Sequence, residues 1–175
     1  MQPDGWFAGL RRVESPNHDA RPDGSAIELL VIHSISLPPG VFGGGAIDAL
    51  FTNRLDFAAH PYYDGLRGVK VSAHFLIDRA GAATQFVSCR ERAWHAGASQ
   101  WEGRTRCNDF SIGVELEGSE FEPFTDGQYR SLARLQQALR RVFALRAARG
   151  HSEIAPDRKH DPGPLFDWRR VARDM

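Results

Sequence analysis

Short apolar runs bounded by turn residues predict strands in the first half of the chain. Residues 28–33 are too few and too apolar for an amphipathic helix, so we expect a buried strand with His33 at its carboxyl end. Residues 71–78 predict a second strand that enters a tight turn, with residues 84–87 as its hairpin partner. A short helix is expected between these strands, near residues 46–52.

A regular alternation after residue 110 predicts a third strand. Its apolar face carries Ile112, Val114 and Leu116, and its other face carries Gly113, Glu115 and Glu117. The pattern therefore predicts a strand that presents two acids on the side away from the core.

A longer helix is predicted in the second half of the chain. Thr125 and Gln128 form a capping-box signature at its start. Apolar residues follow at helical spacing, at positions 132, 135, 139, 142 and 143. We expect Gly150 to end this helix, so that His151 begins a new segment and residues 156–164 form a loop.

Strand and helix patterns alternate along the chain without a linker, a repeat or a change in composition. The chain is 42% hydrophobic and 25% charged, as in ordinary globular proteins. We therefore expect one α/β domain over residues 1–175, with a polar N-terminal lead-in over residues 1–24.

The charge balance argues against a polyanionic partner. The chain has 22 basic and 22 acidic residues, so no global field favours nucleic acid or an anionic membrane. The first residues lack the basic and apolar stretches of an export signal, which predicts a cytoplasmic protein with Cys89 and Cys107 as reduced thiols.

Seven histidines are candidates for metal binding, but none lies in a close zinc-binding motif. His33 and His151 are placed near strand and helix ends, where ligands can converge at a cleft. Hydrogen-bonded structural histidines would give the same spacing, so the pattern alone leaves both interpretations open. His18 and His60 are expected in exposed loops, His74 in a half-buried strand, and His95 nearer a substrate than a metal.

Several longer blocks carry a specific resemblance. They are residues 32–40 (IHSISLPPG), 71–74 (VSAH), 92–97 (RAWHAG), 106–113 (RCNDFSIG), 155–159 (APDRK) and 161–164 (DPGP). In this order they resemble the AmpD-type 1,6-anhydro-N-acetylmuramyl-L-alanine amidases, from near residue 6 to about residue 171. The resemblance implies a central mixed β-sheet flanked by helices, as in bacteriophage-lysozyme-type amidases and peptidoglycan recognition proteins.

The same resemblance implies a catalytic zinc ion, Zn2+, held by His33, His151 and Asp161. Three protein ligands leave a fourth position open, as catalytic zinc requires. The resemblance selects Glu115 as the catalytic acid and base. Lys159, two residues before a metal ligand, is expected to stabilise the oxyanion that forms during amide hydrolysis.

The expected substrate is a muropeptide or an anhydromuropeptide, and we expect the protein to be a monomer. Candidate substrate-binding residues are Trp94, Arg106, Lys70, Ser34 and His95. Ser34 and Lys70 depart from the family pattern, which commonly has Asn and Arg there. Gly113 is expected to leave room for substrate, and Glu117 to be solvated.

Two alternatives remain at the level of the sequence. A related fold can bind wall fragments without hydrolysing them, although such a module would usually have lost a zinc ligand. An amidase acting on intact murein is the second alternative, and it would normally require export. The sequence therefore favours cytosolic hydrolysis of the bond between a muramyl sugar and L-alanine during cell-wall recycling.

Overall fold

A six-stranded mixed sheet forms the centre of the computed structural model, which describes all residues from Met1 to Met175. The strands are β1 (Arg11–Arg12), β2 (His18–Asp19), β3 (Leu29–Ile35), β4 (Phe75–Ile77), β5 (Ala83–Gln85), β6 (Arg92–Ala93), β7 (Gln100–Trp101), β8 (Arg104–Thr105), β9 (Ser111–Glu117) and β10 (Ala147–Gly150). The α-helices are α1 (Ala46–Phe51), α2 (Asp126–Arg140) and α3 (His151–Ile154), and 3-10 helices cover Pro61–Leu66, Cys107–Phe110 and Trp168–Arg170.

The central sheet has the order β1-β5-β4-β9-β3-β10. Strands β10, β3, β9 and β4 run parallel, whereas β5 is antiparallel to β4. Strand β1, from the N-terminal lead-in, pairs parallel with β5. The predicted mixed α/β sheet flanked by helices is thus confirmed.

The two faces of the sheet are covered differently. Helix α2 packs on one face, where Ile32, Val114 and Leu132 belong to a core of 18 buried residues. The other face is covered by α1 at one end and by a smaller cluster containing Trp101 and Phe110 at the other. Between these two clusters lie the buried polar side chains of the candidate site.

Most elements predicted from the sequence are confirmed. Strand β9 has the expected alternation, and the α1 helix and the β4–β5 hairpin form close to the predicted positions. The capping box also forms, since Thr125 Oγ1 accepts from Gln128 N–H at 3.1 Å. Strand β3 continues to Ile35, so His33 lies within the strand rather than at its last residue.

The predicted end of the long helix at Gly150 is wrong. Helix α2 ends at Arg140, and Ala147–Gly150 forms the edge strand β10 instead. These four residues hydrogen-bond in parallel to Leu29–Ile32 of β3, which satisfies the backbone of a buried strand. Tertiary pairing therefore overrides the local helical pattern. None of the helices is sufficiently long and apolar to cross a bilayer.

Candidate metal centre

The parallel register brings three chemically important residues to the same level of the sheet. His33 of β3 is paired with Glu115 of β9, and Ile32 is paired with Gly150 of β10. His151 follows Gly150 directly, so it emerges beside His33 at the first residue of α3. Paired residues on neighbouring strands point to the same face, and therefore His33 and Glu115 share the face opposite α2.

His33, His151 and Asp161 form a compact triangle of potential metal ligands. His33 Nδ1 lies 3.0 Å from His151 Nδ1 and 3.0 Å from Asp161 Oδ2. His151 Nδ1 lies 3.2 Å from the same carboxylate oxygen. Two imidazole nitrogens and one carboxylate oxygen thus converge on one point, as expected for a metal site.

The Nε2 atoms of His33 and His151, which are the outer nitrogens because they point away from the triangle, also have partners. His33 Nε2 lies 2.9 Å from His95 Nδ1, and His95 Nε2 lies 3.2 Å from Ser111 Oγ. His151 Nε2 lies 3.1 Å from the carbonyl oxygen of Ala96. Metal-binding histidines usually have such outer partners, which fix the orientation of the ring.

Burial sets the protonation of this cluster. Desolvation lowers the pKa of His33 to about 4, so its imidazole is neutral at neutral pH and able to bind a metal. Burial alone would raise the pKa of Asp161, but hydrogen bonds with His151 and His33 outweigh it and hold that pKa well below its usual range. The resulting donor set contains a neutral histidine and an ionised carboxylate.

Glu115 lies next to this triangle in a weakly solvated position. Its Oε2 atom is buried and has no hydrogen-bond partner in the protein. Burial raises the pKa of Glu115 well above its usual range, and the negative charge of Asp161 raises it further. The positive charge of the half-buried Lys159 opposes this rise in the pKa of Glu115.

The chain also matches a known protein family over most of its length. The family model described as N-acetylmuramoyl-L-alanine amidase matches residues 23–164. The chain belongs to the N-acetylmuramoyl-L-alanine amidase family. The 1,6-anhydro-N-acetylmuramyl-L-alanine amidase AmpD of Escherichia coli (strain K12) is 54% identical over 168 residues, which cover 95% of this chain and 92% of that protein.

Solved structures support the same assignment. A crystal structure of a selenomethionine AmpD derivative has a TM-score of 0.94 at 53% identity, covering 97% of this amidase and 96% of that chain. The amidase AmiD from E. coli, in complex with anhydro-N-acetylmuramic acid-L-Ala-D-gamma-Glu-L-Lys, has a TM-score of 0.61 at 31% identity, covering 86% and 58%. An endolysin amidase from Clostridium intestinale and PGRP-SA from Apis mellifera, each 14% identical with TM-scores of 0.66 and 0.59, share the fold.

The remaining candidate substrate-binding residues of this amidase lie in different environments. Trp94 is half-buried, and its indole Nε1–H donates to Asp19 Oδ1 at 3.1 Å. Ser34 is half-buried in β3, immediately after His33. Arg106 and Lys70 are exposed, and only Arg106 has an ion-pair partner, Asp109, at 3.3 Å. Trp94 and Ser34 are thus sequence neighbours of the buried histidines His95 and His33, whereas Arg106 and Lys70 lie at the surface.

The expected solvation of Glu117 is wrong. Its side chain is only 5% exposed, and its two carboxylate oxygens accept hydrogen bonds from the backbone N–H groups of Gly43 and Arg79. It lines a cavity of about 390 Å³ that contains none of the three potential metal ligands. Glu117 therefore connects two loops to the end of β9.

The roles expected for Gly113 and His95 also require correction. A Cβ atom on Gly113 would lie 2.5 Å from Cγ of His95, so the space beside this glycine is filled by the imidazole and not left for substrate. His95 is buried, and both of its ring nitrogens have protein partners, His33 and Ser111. It therefore lies behind the metal ligands instead of facing a substrate.

Several polar residues support the site without having a role predicted from the sequence. Asn108 Oδ1 accepts from the backbone N–H groups of His95 at 3.2 Å and Ala96 at 2.8 Å. Arg158 Nη2 donates to the Ala96 carbonyl at 2.8 Å. Asn108 and Ser111 lie in a block that carries the family resemblance, but a single sequence contains no signal that separates them from surface polar residues.

We predict that Gly113→Ala destabilises the amidase. The added methyl group would collide with the buried His95 ring, and overpacking of this kind typically costs about 1–3 kcal/mol. Gly65→Ala is the matched control, because a Cβ atom there meets nothing within 4 Å and its φ is not in the left-handed region. Urea unfolding should show a clear loss for Gly113→Ala only; equal stabilities would contradict the assigned packing.

Proposed function

We propose that this amidase uses zinc to hydrolyse the amide bond between (1,6-anhydro-)N-acetylmuramic acid and L-alanine of peptide stems. The observation that carries the proposal is the triangle of His33, His151 and Asp161 directly beside the buried carboxyl group of Glu115. The proposed setting is cytosolic recycling of cell-wall fragments by a monomer. Similarity to AmpD, whose name specifies this bond, supports the proposed substrate.

The three donor atoms fit zinc in number, chemistry and spacing. Tetrahedral zinc bound at roughly 2.0–2.1 Å separates its ligand atoms by about 3.3 Å. The three separations here are 3.0, 3.0 and 3.2 Å. Three protein ligands are the usual number in a catalytic zinc site, which requires a position for water or substrate.

When bound, zinc would supply Lewis-acid chemistry, activating water and polarising the amide carbonyl. Glu115 would take a proton from the attacking water. The same carboxyl group can then deliver a proton to the alanine nitrogen as the amide bond breaks. Its burial favours this role, because a raised pKa makes the carboxylate a stronger base and allows it to hold the proton between the two transfers.

Lys159 would stabilise negative charge that develops on the carbonyl oxygen. Lys159 is half-buried and lies two residues before Asp161, which supports this assignment. A fixed cation in a poorly solvated site favours the charged tetrahedral state over the neutral amide. Lys159 thereby complements the proton transfers of Glu115.

Substrate recognition would involve both the sugar and the peptide of a muropeptide. Trp94 offers an aromatic surface to the sugar, and Ser34 offers a hydroxyl group beside the metal ligands. Arg106 and Lys70 would meet peptide carboxylates, Arg106 through a planar fork and Lys70 as a point charge. The AmiD complex contains an anhydromuramyl peptide, which supports a ligand of this class for the shared fold.

We predict that Asp161→Asn loses most zinc binding, because the change removes the anionic donor of the triangle. His160→Asn is the matched control, since His160 is the exposed neighbour of Asp161 and is not a member of the triangle. Metal analysis after dialysis should find zinc in the wild type and the control but little in Asp161→Asn. Chelation should abolish wild-type activity and added zinc should restore it; a chelated enzyme with full activity would refute zinc dependence.

Changes at Glu115 and Lys159 should separate catalysis from metal binding. We expect Glu115→Gln to lower kcat by about 10²–10⁴-fold, because the amide cannot carry the proton. Lys159→Ala should lower kcat by about 10²–10³-fold through lost charge stabilisation. Both variants should retain stoichiometric zinc in metal analysis. A wild-type rate in either variant would remove that residue from the mechanism.

Substrate preference tests the proposed place of action. We expect faster release of free peptide from soluble anhydromuropeptides than from intact sacculi, measured by chromatography at equal enzyme concentration. The expected preference follows from a role in recycling small wall fragments. A strong preference for sacculi would instead support an amidase of intact murein, and zinc-loaded protein that binds fragments without peptide release would indicate a binding module.

A further inference from the structure

The two-residue segment His95-Ala96 contacts both His33 and His151 on the side away from Asp161. The side chain of His95 meets Nε2 of His33 at 2.9 Å, and the carbonyl oxygen of the next residue, Ala96, meets Nε2 of His151 at 3.1 Å. His33 belongs to strand β3 and His151 begins helix α3, yet their Nε2 atoms face the same two-residue segment. Their inner nitrogens face Asp161.

We propose that His95-Ala96 is a positioning segment that selects the metal-binding tautomer of both histidines, with His95 as the residue that fixes His33. This inference rests on the proposed zinc site. It assigns no contact with the substrate to His95. Its function is to keep the Nδ1 lone pairs of His33 and His151 directed toward the metal position.

The hydrogen-bonding capacity of the partners gives the physical reason. A carbonyl oxygen can only accept, so Ala96 requires the hydrogen of His151 to be on Nε2, which leaves Nδ1 free as a ligand. The same logic holds for His33 if His95 Nδ1 is the acceptor and His95 Nε2–H donates to Ser111 Oγ at 3.2 Å. The opposite set of tautomers would place a hydrogen on His33 Nδ1 and block metal binding.

The segment is held rigidly enough for this role. Asn108 Oδ1 accepts from the N–H groups of both His95 and Ala96, and Arg158 donates to the Ala96 carbonyl. The His95 ring packs against Gly113, where any Cβ atom would displace it. Because one segment supports both ligands, a shift of His95-Ala96 would disturb two metal bonds together.

The test compares two amides at the same position. Asn at position 95 puts its amide near the place of the His95 Nδ1 atom and can accept from His33, whereas Gln puts its amide near the place of Nε2, beside Ser111. The Asn and Gln side chains are both neutral and polar, and each can occupy the space of the His95 ring. We expect His95→Gln to weaken zinc binding by about 10–100-fold, the usual effect of losing such an outer partner, and His95→Asn to stay close to the wild type.

His74→Gln is the control for loss of a buried imidazole. His74 is also buried, and its ring centroid lies 5.8 Å from that of His95, but its ring nitrogens contact neither His33 nor His151. Zinc dissociation constants from chelator competition should therefore be unchanged in His74→Gln. Thermal unfolding of each zinc-free protein would separate lost stability from lost affinity.

Nitrogen chemical shifts of the histidine rings give a readout that does not depend on metal or turnover. Without zinc, the ionised carboxylate of Asp161 competes for the ring hydrogen of His33 by accepting from Nδ1–H, so the measurement is made in an Asp161→Ala background. There, with His95 intact or in His95→Asn, His33 should carry its hydrogen on Nε2, and this preference should be lost in His95→Gln. Equal zinc affinities for the His95→Asn and His95→Gln variants, or an Nδ1–H tautomer of His33 in the Asp161→Ala background with His95 intact, would overturn the inference. A wild type that binds no zinc would refute the proposed function instead, while the tautomer measurement would still decide the role of His95.

Discussion

The parallel pairing of β10, β3 and β9 is the constraint on which the rest of the site depends. Parallel strands keep a constant register, so residues in neighbouring strands stay level and their side chains share a face. This places His33 of β3, Glu115 of β9 and His151, which directly follows β10, in one row at the same level of the sheet. A shift of one residue in any of these pairings would turn a side chain of the row to the α2 face.

Burial then determines what this row can do chemically. The same desolvation has opposite consequences for the two kinds of group, because it favours a neutral imidazole at His33 and a protonated carboxyl at Glu115. Asp161 stays ionised because two histidines contact its carboxylate. One poorly solvated region therefore contains a set of potential metal ligands and an acid–base group, and its two carboxyl groups, Asp161 and Glu115, differ in their hydrogen-bond partners.

The errors in the sequence-based predictions have related physical causes. The apolar pattern after Thr125 continues past Arg140, but backbone pairing with β3 makes Ala147–Gly150 a strand. The alternation in the sequence places Glu115 and Glu117 on the same face of the strand. In the structure, however, Glu117 is buried and accepts hydrogen bonds from the loop N–H groups of Gly43 and Arg79, which makes it a structural residue. Local pattern contains no information on partners that are distant along the chain.

The sequence by itself determined strands β3, β4, β5 and β9, the capped start of α2 and the α/β fold class, because alternation and helical spacing are local properties. Family blocks also pointed to His33, His151 and Asp161 before any coordinates, although spacing alone left their role open. Only the tertiary structure decided that the three atoms meet within about 3 Å, and that His95 supports His33 from behind. The reason is that distances between side chains follow from strand register and burial, which join residues more than one hundred positions apart.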